Sequence, residues 1–366
     1  MGQTAPPTQA FGLRLARALM SAHGPNLFIS PASASLALAM AAAGAAGETR
    51  AAMLDTLGLH TPDDAAATLL PLTEQEGATV EIANGLWARL GLELDPGYVE
   101  TITRAFRGEV RTLDFESPAA VPEINGWIAR ATHGRIRDVV GSLPAGAILC
   151  LVNATYFHGE WARPFDRGGT HAGPFLRAGA GAVQVPLMAR TGTFEYGEGP
   201  DFQAVALPYV GGALRLLVAL PRSVLAPAEL AELLDRFEQV GAALAPSRNG
   251  TLHLPRLTIT DDLSLAGPLA DLGMLPAFRP GADFSRLSPD CGRRCAISEV
   301  LQKTRLEIDE KGTTAAAATA VVFRASVRLD AAPFRMVVDR PFLLAIQAVG
   351  TGALLFLGLI GDPLAG

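Results

Sequence analysis

The feature that most constrains this chain is a segment near its C-terminus, EIDEKGTTAAAATAVVFRASVRLD, at residues 307–330. Its run of alanines favours a helix, but a glycine and two threonines precede the run, and Val321, Val322 and Phe323 follow it and favour a strand. Between Gly312 and Phe323 there is neither a proline nor a charged residue. The segment therefore suits neither a regular helix nor a regular surface strand, and the fold has to give it another role.

The composition is that of a folded chain with a large core, since 49% of the 366 residues are hydrophobic and 18% are charged. The formal net charge is -6, and no basic run interrupts the sequence. A nucleic-acid partner is therefore not expected, because binding to phosphates requires clustered positive charge.

The cysteines do not predict a disulfide framework, because there are three of them, Cys150, Cys291 and Cys295. Cys291 and Cys295 are close enough in sequence to form a local disulfide or to remain as free thiols. Their C-x3-C spacing lacks a second pair of ligands nearby, so a zinc site is not expected.

Motifs for catalysis, cofactors or metals are missing from the sequence. There is no G-x-S-x-G turn, no P-loop and no G-x-G-x-x-G fingerprint. The histidines show neither an H-E-x-x-H motif nor paired metal-binding spacing; they are His23, His60, His133, His158, His171 and His253. The sequence therefore predicts no enzymatic activity, no cofactor and no metal.

The first twenty residues contain no apolar stretch of signal-peptide length. They predict a short tail followed by an amphipathic helix with Phe11, Leu15 and Leu19 on its inner face. The longest uncharged stretch, at 341–361, has the length of a membrane span, but Gly350 to Gly352 interrupt it. Two buried strands joined by a tight turn are the favoured interpretation, so no membrane association is expected.

Helical patterns dominate the first part of the chain. Ser30 followed by Pro31 predicts a helix start, and the small apolar residues after it predict a helix buried on all sides. Further helical patterns extend to about residue 60, from Pro96 to Phe106, and from Pro122 to Val140, with a helix end at Gly134. Strand patterns follow at 150–161, 202–210, 214–221, 251–260 and 298–309. We therefore predict one mixed domain of the α+β class, with helices early and sheets late.

In the last of these strands, alternation separates two faces. The inward residues are Val300, Gln302, Thr304, Leu306 and Ile308, and the outward residues are Lys303, Arg305, Glu307 and Asp309. Gln302 is thus an inward amide, which requires hydrogen-bond partners, and a structural network is the expected role.

Several stretches together resemble the serpin family of serine protease inhibitors. They are NLFISPASAS at 26–35, NGWIARATHGRI at 125–136, LVNATYFHGEWARPFD at 151–166, LHLPRL at 252–257, LGM with GADFS at 272–285, EIDEKGTTAAAATA at 307–320, and RPFLL with LFLGLIGDP at 340–363. They cover nearly the whole chain in the family's order. The resemblance implies an α+β fold of three β-sheets and about nine helices, formed by a single domain over residues 1–366.

The resemblance also implies an exposed reactive-centre loop, with its hinge, at about 310–333. This loop becomes a strand of the large sheet after a protease cleaves it. The implied partner is a target serine protease held as a covalent acyl complex, and the chain is expected to be a monomer. A non-inhibitory serpin that acts as a binding or chaperone module is the alternative. The family favours an extracellular location, whereas the missing signal pattern favours the cytoplasm.

The hinge is the part of the loop that must insert. Its residues are Glu310, Gly312, Thr313, Thr314, Ala315, Ala316, Ala317, Ala318 and Thr319. Gly312 supplies a conformationally permissive position. In an extended chain the small side chains of Thr313, Ala315, Ala317 and Thr319 alternate toward the interior. Thr314 departs from the acidic residue usual at its position, but its side chain faces outward and little effect is expected.

Family spacing places the reactive bond between Ser326 and Val327. A small residue before the bond suits an elastase-like or subtilisin-like protease. Arg324 and Arg328 are alternative cleavage positions that suit a trypsin-like protease, although cleavage at either changes the inserted length by two residues.

Two further groups follow from the alignment to the family. Arg256 and Glu310 match an ion pair where the loop enters the sheet, with Trp161 beside it. A polar cluster beneath the sheet's opening strands comprises Ser30, Ser33, Asn153 and Gln302. Gln302 stands where a histidine is common, so the network is expected to persist without pH-sensitive opening.

Overall fold

The computed structural model describes residues 5–20, 24–177, 179–225, 229–292, 294–313 and 332–365. In these ranges the chain forms ten α-helices, which are α1 (Pro7–Met20), α2 (Pro31–Gly44), α3 (Gly47–Leu57), α4 (Asp63–Leu69), α5 (Pro96–Ala105), α6 (Ala120–Ala131), α7 (Ala231–Asp235), α8 (Phe237–Ala243), α9 (Ala266–Leu269) and α10 (Leu275–Phe278). Because α9 and α10 lie end to end across a π-helical turn at Ala270–Met274, the number agrees with the nine or so predicted.

The same ranges contain sixteen strands, which are β1 (Asn26–Ile29), β2 (Glu74–Gln75), β3 (Ala78–Arg89), β4 (Glu109–Leu113), β5 (Leu149–Glu160), β6 (His171–Arg177), β7 (Gly181–Glu198), β8 (Phe202–Pro208), β9 (Leu214–Pro221), β10 (Ala245–Pro255), β11 (Leu257–Ser264), β12 (Ile297–Ile308), β13 (Gly312–Thr313), β14 (Phe334–Val337), β15 (Phe342–Ala348) and β16 (Leu354–Ile360). The predicted α+β class is confirmed.

The strands join into two hydrogen-bonded sheets within the described residues. The first has the order β1-β16-β15-β9-β8-β7-β10-β14, with β6 beside β7, and the second has the order β11-β12-β5-β3-β2, with β13 beside β5 and β4 beside β3. The resemblance predicted three sheets. Two of the three are joined into one sheet here by the long strand β7, which has 18 residues. β7 pairs with β6 and β10, and its last residues, Glu195–Glu198, pair with β8.

The predicted division into early helices and late sheets was too simple. β1, β3 and β4 lie in the first third of the chain, and α7 to α10 lie between residues 231 and 278. β3 has no clear alternation because both of its faces are covered. Leu86 contributes to the main core, whereas Trp87 packs with Trp127 of α6 in a smaller core on the other face.

α2 is the central helix of the main core. All but one of its 14 residues are buried, and the Ser30 hydroxyl caps its start by accepting a hydrogen bond from the Ser33 amide at 3.2 Å. The helix packs against β3 and β5 of one sheet and β16 of the other, and its alanines let both sheets approach closely. The prediction of a capped helix buried on all sides is confirmed. α1 also matches its prediction, with Phe11, Leu15 and Leu19 buried.

The uncharged stretch at 341–361 is a hairpin of buried strands. β15 and β16 pair in antiparallel register from Phe342 opposite Ile360 onward, so the predicted strand pair is confirmed. Among the described helices, none combines the length and the apolar character needed to span a membrane.

The cysteines fall into two environments. Cys291 and Cys295 form a local disulfide in the loop before β12. Cys150 lies on β5 beneath α6 as a buried free thiol, and burial together with the charge of Glu299 raises its pKa to about 12. This thiol is therefore protonated and unreactive while α6 covers it.

Candidate functional site

The hinge begins with a tight turn at the end of β12. The Asp309 amide donates to the Gly312 carbonyl at 2.8 Å, and the Asp309 carboxylate accepts from the Lys311 amide at 2.8 Å and the Gly312 amide at 3.1 Å. This Asx-type turn reverses the chain and directs it back toward the sheet.

After the turn, β13 joins β5 in antiparallel register, with Gly312 opposite Glu160 and Thr313 opposite Gly159. β3 occupies one edge of β5 as far as Gly159, so β13 occupies the other edge. Further along, that same edge of β5 pairs with β12 in parallel register, from Leu149 to Tyr156. Gly312 and Thr313 are therefore paired with β5 on the same edge that β12 occupies from Leu149 to Tyr156.

Gly312 is required here by close packing. A Cβ at this position would lie 2.1 Å from the carbonyl oxygen of Gly159 and 2.8 Å from the Cα of Glu160. Its backbone is not in the left-handed region. The predicted reason for glycine, conformational permissiveness, is thus replaced by a steric one, since no other side chain fits against β5.

Thr313 is buried. Its hydroxyl lies 3.0 Å from the Tyr209 hydroxyl. Burial raises the pKa of Tyr209, so the phenol stays protonated and available for this hydrogen bond. The Tyr209 ring stacks on Trp161 with centroids 4.8 Å apart and meets Phe157 edge-on at 4.9 Å. An aromatic wall therefore lines the point where the hinge enters.

Glu310 carries a buried carboxylate, with only 2% of its side chain exposed. It forms an ion pair with Arg256, which is 47% exposed, and accepts a hydrogen bond from the Thr170 hydroxyl at 2.6 Å. Burial alone would raise the pKa of Glu310, but the hydrogen bonds from Thr170 and Arg256 outweigh it, and the pKa lies below its ordinary value. Glu310 is therefore held ionised at the mouth of the hinge.

Trp161 holds the turn through backbone and side-chain hydrogen bonds. Its indole nitrogen donates to the Asp309 carbonyl at 2.9 Å, and its amide donates to the Lys311 carbonyl at 2.9 Å. The structure thus brings Arg256, Glu310 and Trp161 to the same end of the sheet. Thr170 and Tyr209 belong to the same group of contacts, but no pattern in the sequence singled them out.

The polar cluster lies on the same sheet, further along β5 from β13, and spans three strands. Asn153 of β5 is opposite Asn84 of β3 on one side and Gln302 of β12 on the other. The Gln302 amide donates to the Asn153 side-chain oxygen at 2.9 Å, and the Asn153 amide donates to Asn84 and to Ser33. Asn84 was missed in the sequence, because β3 shows no alternation that would mark it as an inward polar residue.

Ser30 links this cluster to the start of α2. Its amide donates to the Gln302 side-chain oxygen at 3.0 Å, its carbonyl accepts from the Gln302 amide at 3.1 Å, and its hydroxyl donates to the Leu355 carbonyl at 2.7 Å. Gln302 is 1% exposed, so these contacts are shielded from water. Separating β12 from β5 would break the bond between Gln302 and Asn153 and expose a buried amide.

The remaining predicted site residues lie outside the described residues. They are Thr314, Ala315, Ala316, Ala317, Ala318, Thr319, Arg324, Ser326, Val327 and Arg328. Their roles in the hinge and at the reactive bond remain predictions.

Comparisons with known proteins agree with this architecture. A family model described as Serpin (serine protease inhibitor) matches residues 7–363. Plasminogen activator inhibitor 1 of Neovison vison is 32% identical over 374 residues, covering 96% of this chain and 91% of the relative. Arabidopsis AtSerpin1 in its native stressed conformation has a TM-score of 0.87 at 25% identity and 100% coverage of both chains. Human thyroxine-binding globulin, solved with its ligand, has a TM-score of 0.85 at 26% identity, covering 98% of this chain and 97% of that one. The likeness therefore extends over almost the entire chain.

Proposed function

This chain belongs to the serpin family, and we propose that it is an inhibitor of serine proteases that acts as a suicide substrate. The inhibitory unit is a single domain over residues 1–366, with the reactive loop and hinge at about 310–333. Cleavage of the loop, acyl-enzyme formation and insertion of the loop into the large sheet trap the protease.

The observation that carries this proposal is the pairing of Gly312 and Thr313 with β5. Two residues of the hinge are already in strand register, and the edge of β5 that the next residues need is held by β12. Insertion is then the extension of an existing strand, which avoids the cost of nucleating a new one.

Extending the same antiparallel register predicts where the inserted residues meet β5. Six residues beyond the pair of Thr313 and Gly159, Thr319 is opposite Asn153; thirteen residues beyond it, Ser326 is opposite Gly146. Thr319 thus takes the place of Gln302 as the polar neighbour of Asn153. The inserted residues from Thr313 to Ser326 span about 46 Å, which carries an attached protease from one end of β5 to the other.

The chemistry belongs to the target. Its serine hydroxyl attacks the carbonyl carbon of Ser326, its histidine transfers the hydroxyl proton to the leaving amine of Val327, and an ester bond to the protease replaces the peptide bond. Water would complete hydrolysis of this ester. Insertion that is faster than hydrolysis moves the protease and deforms its active site before the ester is cleaved.

Ser326 at the reactive bond indicates an elastase-like or subtilisin-like target, whose binding pocket accepts a small side chain. Arg324 and Arg328 would direct a trypsin-like protease to a bond two residues away. Peptide mass mapping after limited proteolysis distinguishes these positions, and exclusive cleavage after either arginine would reject Ser326.

The proposal is tested by mixing the protein with pancreatic elastase, subtilisin and trypsin in turn. A complex of summed mass that survives boiling on a denaturing gel is expected with elastase or subtilisin. Cleavage of the loop by every protease at several ratios, without such a complex, would contradict inhibition.

That negative result would favour the alternative, a non-inhibitory serpin that acts as a binding or chaperone module. The similarity to thyroxine-binding globulin is the observation behind this alternative. The hinge argues against it, because its small uncharged residues from Gly312 to Thr319 meet the requirements of insertion, which a pure binding protein does not need.

A further inference from the structure

Two histidines that are far apart in sequence meet on the sheet, next in sequence to Thr170 and close in sequence to Arg256, the two partners of Glu310. His171 begins β6 and His253 lies in β10, and both strands pair with β7, one on each edge. His171 is opposite Leu187 of β7, and His253 is opposite Ala189. Because the two β7 positions differ by two residues, both imidazoles stand on the same face of the sheet.

The distance between the rings suits a shared metal ion. Their centroids are 5.3 Å apart, and the ring planes make an angle of 84°. Two imidazoles that bind one tetrahedral metal through nitrogens about 2.0 Å from it hold their centroids about 5 Å apart. The pair therefore has the spacing of a chelating pair before any metal binds.

The hydrogen bonding of His171 also suits a metal ligand. Its Nδ1 lies 3.2 Å from the carbonyl oxygen of Gly169. Because a carbonyl only accepts, Nδ1 carries the proton and donates it, which leaves a lone pair on Nε2. Metal-binding histidines commonly donate their second ring nitrogen to a backbone carbonyl in this way, which fixes both the tautomer and the ring orientation.

His253 carries an unsatisfied polar atom. Its Nδ1 is buried and has no hydrogen-bond partner among the described residues.

We propose that His171 and His253 form a two-histidine site for a divalent transition-metal ion such as Cu2+, Ni2+ or Zn2+, with water completing its coordination. Imidazole suits these metals, and the affinity is expected to be highest for Cu2+ and lowest for Mn2+. In the part of the chain that the structure describes, no group of three or more His, Cys, Asp or Glu side chains is arranged to hold a metal. The site is therefore a reversible one that ties β6 to β10, unlike a four-ligand structural zinc site.

This inference does not depend on protease inhibition. The test is a calorimetric titration of the purified chain with ZnCl2 and NiCl2, and pulsed electron paramagnetic resonance with CuCl2. One metal ion is expected to bind per chain, and the Cu2+ spectrum is expected to show two imidazole nitrogens. His171→Ala and His253→Asn are each expected to weaken binding at least about tenfold and to leave one imidazole nitrogen in the spectrum.

His60→Ala is the matched control, because His60 is exposed in the turn before α4, remote in sequence from both strands. It should leave the affinity unchanged. His171 is exposed at the start of a strand, so its replacement is not expected to unfold the protein; the heat transition of the metal-free variants checks this. A binding isotherm that is unchanged in both site variants, or that weakens equally in His60→Ala, would overturn the proposal.

Discussion

Gln302 shows how one side chain decides whether the polar cluster responds to pH. Its amide accepts from the Ser30 amide and donates to Asn153 and to the Ser30 carbonyl. An amide makes these bonds over the whole physiological pH range because it does not titrate. The cluster therefore keeps β12 joined to β5 without a proton-dependent element.

Gln302→His is expected to introduce the missing pH dependence. A buried neutral imidazole can accept from Ser30 and donate to Asn153, but protonation removes the acceptor and buries a charge, so the folded state lowers the pKa of the new histidine. The unfolded state then binds more protons, and stability falls as the pH drops through about 6.5. Urea unfolding midpoints from pH 5 to pH 8 measure this, and a loss of about 1–2 kcal/mol at pH 5 is expected relative to pH 8. Parallel pH profiles for the variant and the wild type would show that the prediction is wrong.

The lowered pKa of Glu310 makes its contribution to stability depend on pH. Because the folded state lowers its pKa, the stability it contributes is present in full above the ordinary carboxyl value of about 4.3 and is lost as the pH falls through the lowered value. Glu310→Gln is expected to cost about 2 kcal/mol at pH 7, since charge-assisted hydrogen bonds from Thr170 and Arg256 become neutral ones. The difference between variant and wild type should shrink toward pH 3.

The control for Glu310 is Glu307→Gln, which alters a partly exposed carboxylate on the outer face of β12. An exposed ion pair of this kind contributes little, so its removal should change the unfolding midpoint only slightly. If both variants lose the same stability at pH 7, the ion pair between the buried Glu310 and the half-exposed Arg256 has no special role.

Among the elements, the contact between β5 and β12 is the one that the proposed insertion would replace. These strands pair from Leu149 opposite Ile297 to Tyr156 opposite Arg305, and β13 lies just beyond that pairing. α6 and the chain after it pack on the outer face of the same strands, and the Asn125 amide holds this segment through two bonds to Val140, at 2.8 and 2.9 Å. The side chains of an inserting strand therefore have to alternate between the same two faces of the sheet as the side chains of β5.

Because hinge side chains alternate between the inward and outward faces of the inserted strand, a charge is expected to have a different effect on each face. Thr319→Arg places a charge on the inward face opposite Asn153, where burial costs several kcal/mol, so insertion is expected to slow and the protein to become a substrate. Thr314→Arg places the same charge on the outward face, opposite the partly exposed His158, and should retain inhibition. The number of inhibitor molecules consumed per protease molecule trapped, measured by titration, should rise at least about tenfold for Thr319→Arg only. Equal values for the two variants would refute the proposed register.

At the scale of the whole molecule, the native fold is expected to be less stable than the cleaved one. Cleavage within the loop allows a strand of about fourteen residues to join the seven-stranded sheet, and it buries Val321 and Phe323 for roughly 1.5–3 kcal/mol each. The heat transition of the cleaved protein should therefore lie about 10 °C or more above that of the native protein.

Scanning calorimetry before and after limited elastase treatment measures this difference. Thr319→Arg serves as the control, because it is cleaved but should gain little stability. An unchanged transition temperature in the cleaved wild type would mean that the loop does not insert. That result would also contradict the proposed trapping of the protease by insertion.

A structural feature of this protein was predictable from the sequence when the residues that determine it are neighbours in the chain. The Ser30 cap, the buried α2, the hairpin of β15 and β16 and the inward Gln302 were all predictable, because each rests on neighbours in sequence or on an alternation of two. β3 and its Asn84 were missed because a strand covered on both faces has no polar side to mark its period. The steric need for Gly312 was also hidden, since Gly159 is 153 residues away.

The sequence by itself determined the α+β class, the buried helix, the family resemblance and the small uncharged hinge. These depend on composition, on periodicity and on motifs in a definite order. The three-dimensional fold was needed to show that Gly312 and Thr313 pair with β5, that Thr170 and Tyr209 bond to Glu310 and Thr313, and that His171 meets His253. The physical reason is strand register, because a sheet brings residues from distant strands within contact at spacings that no local pattern encodes.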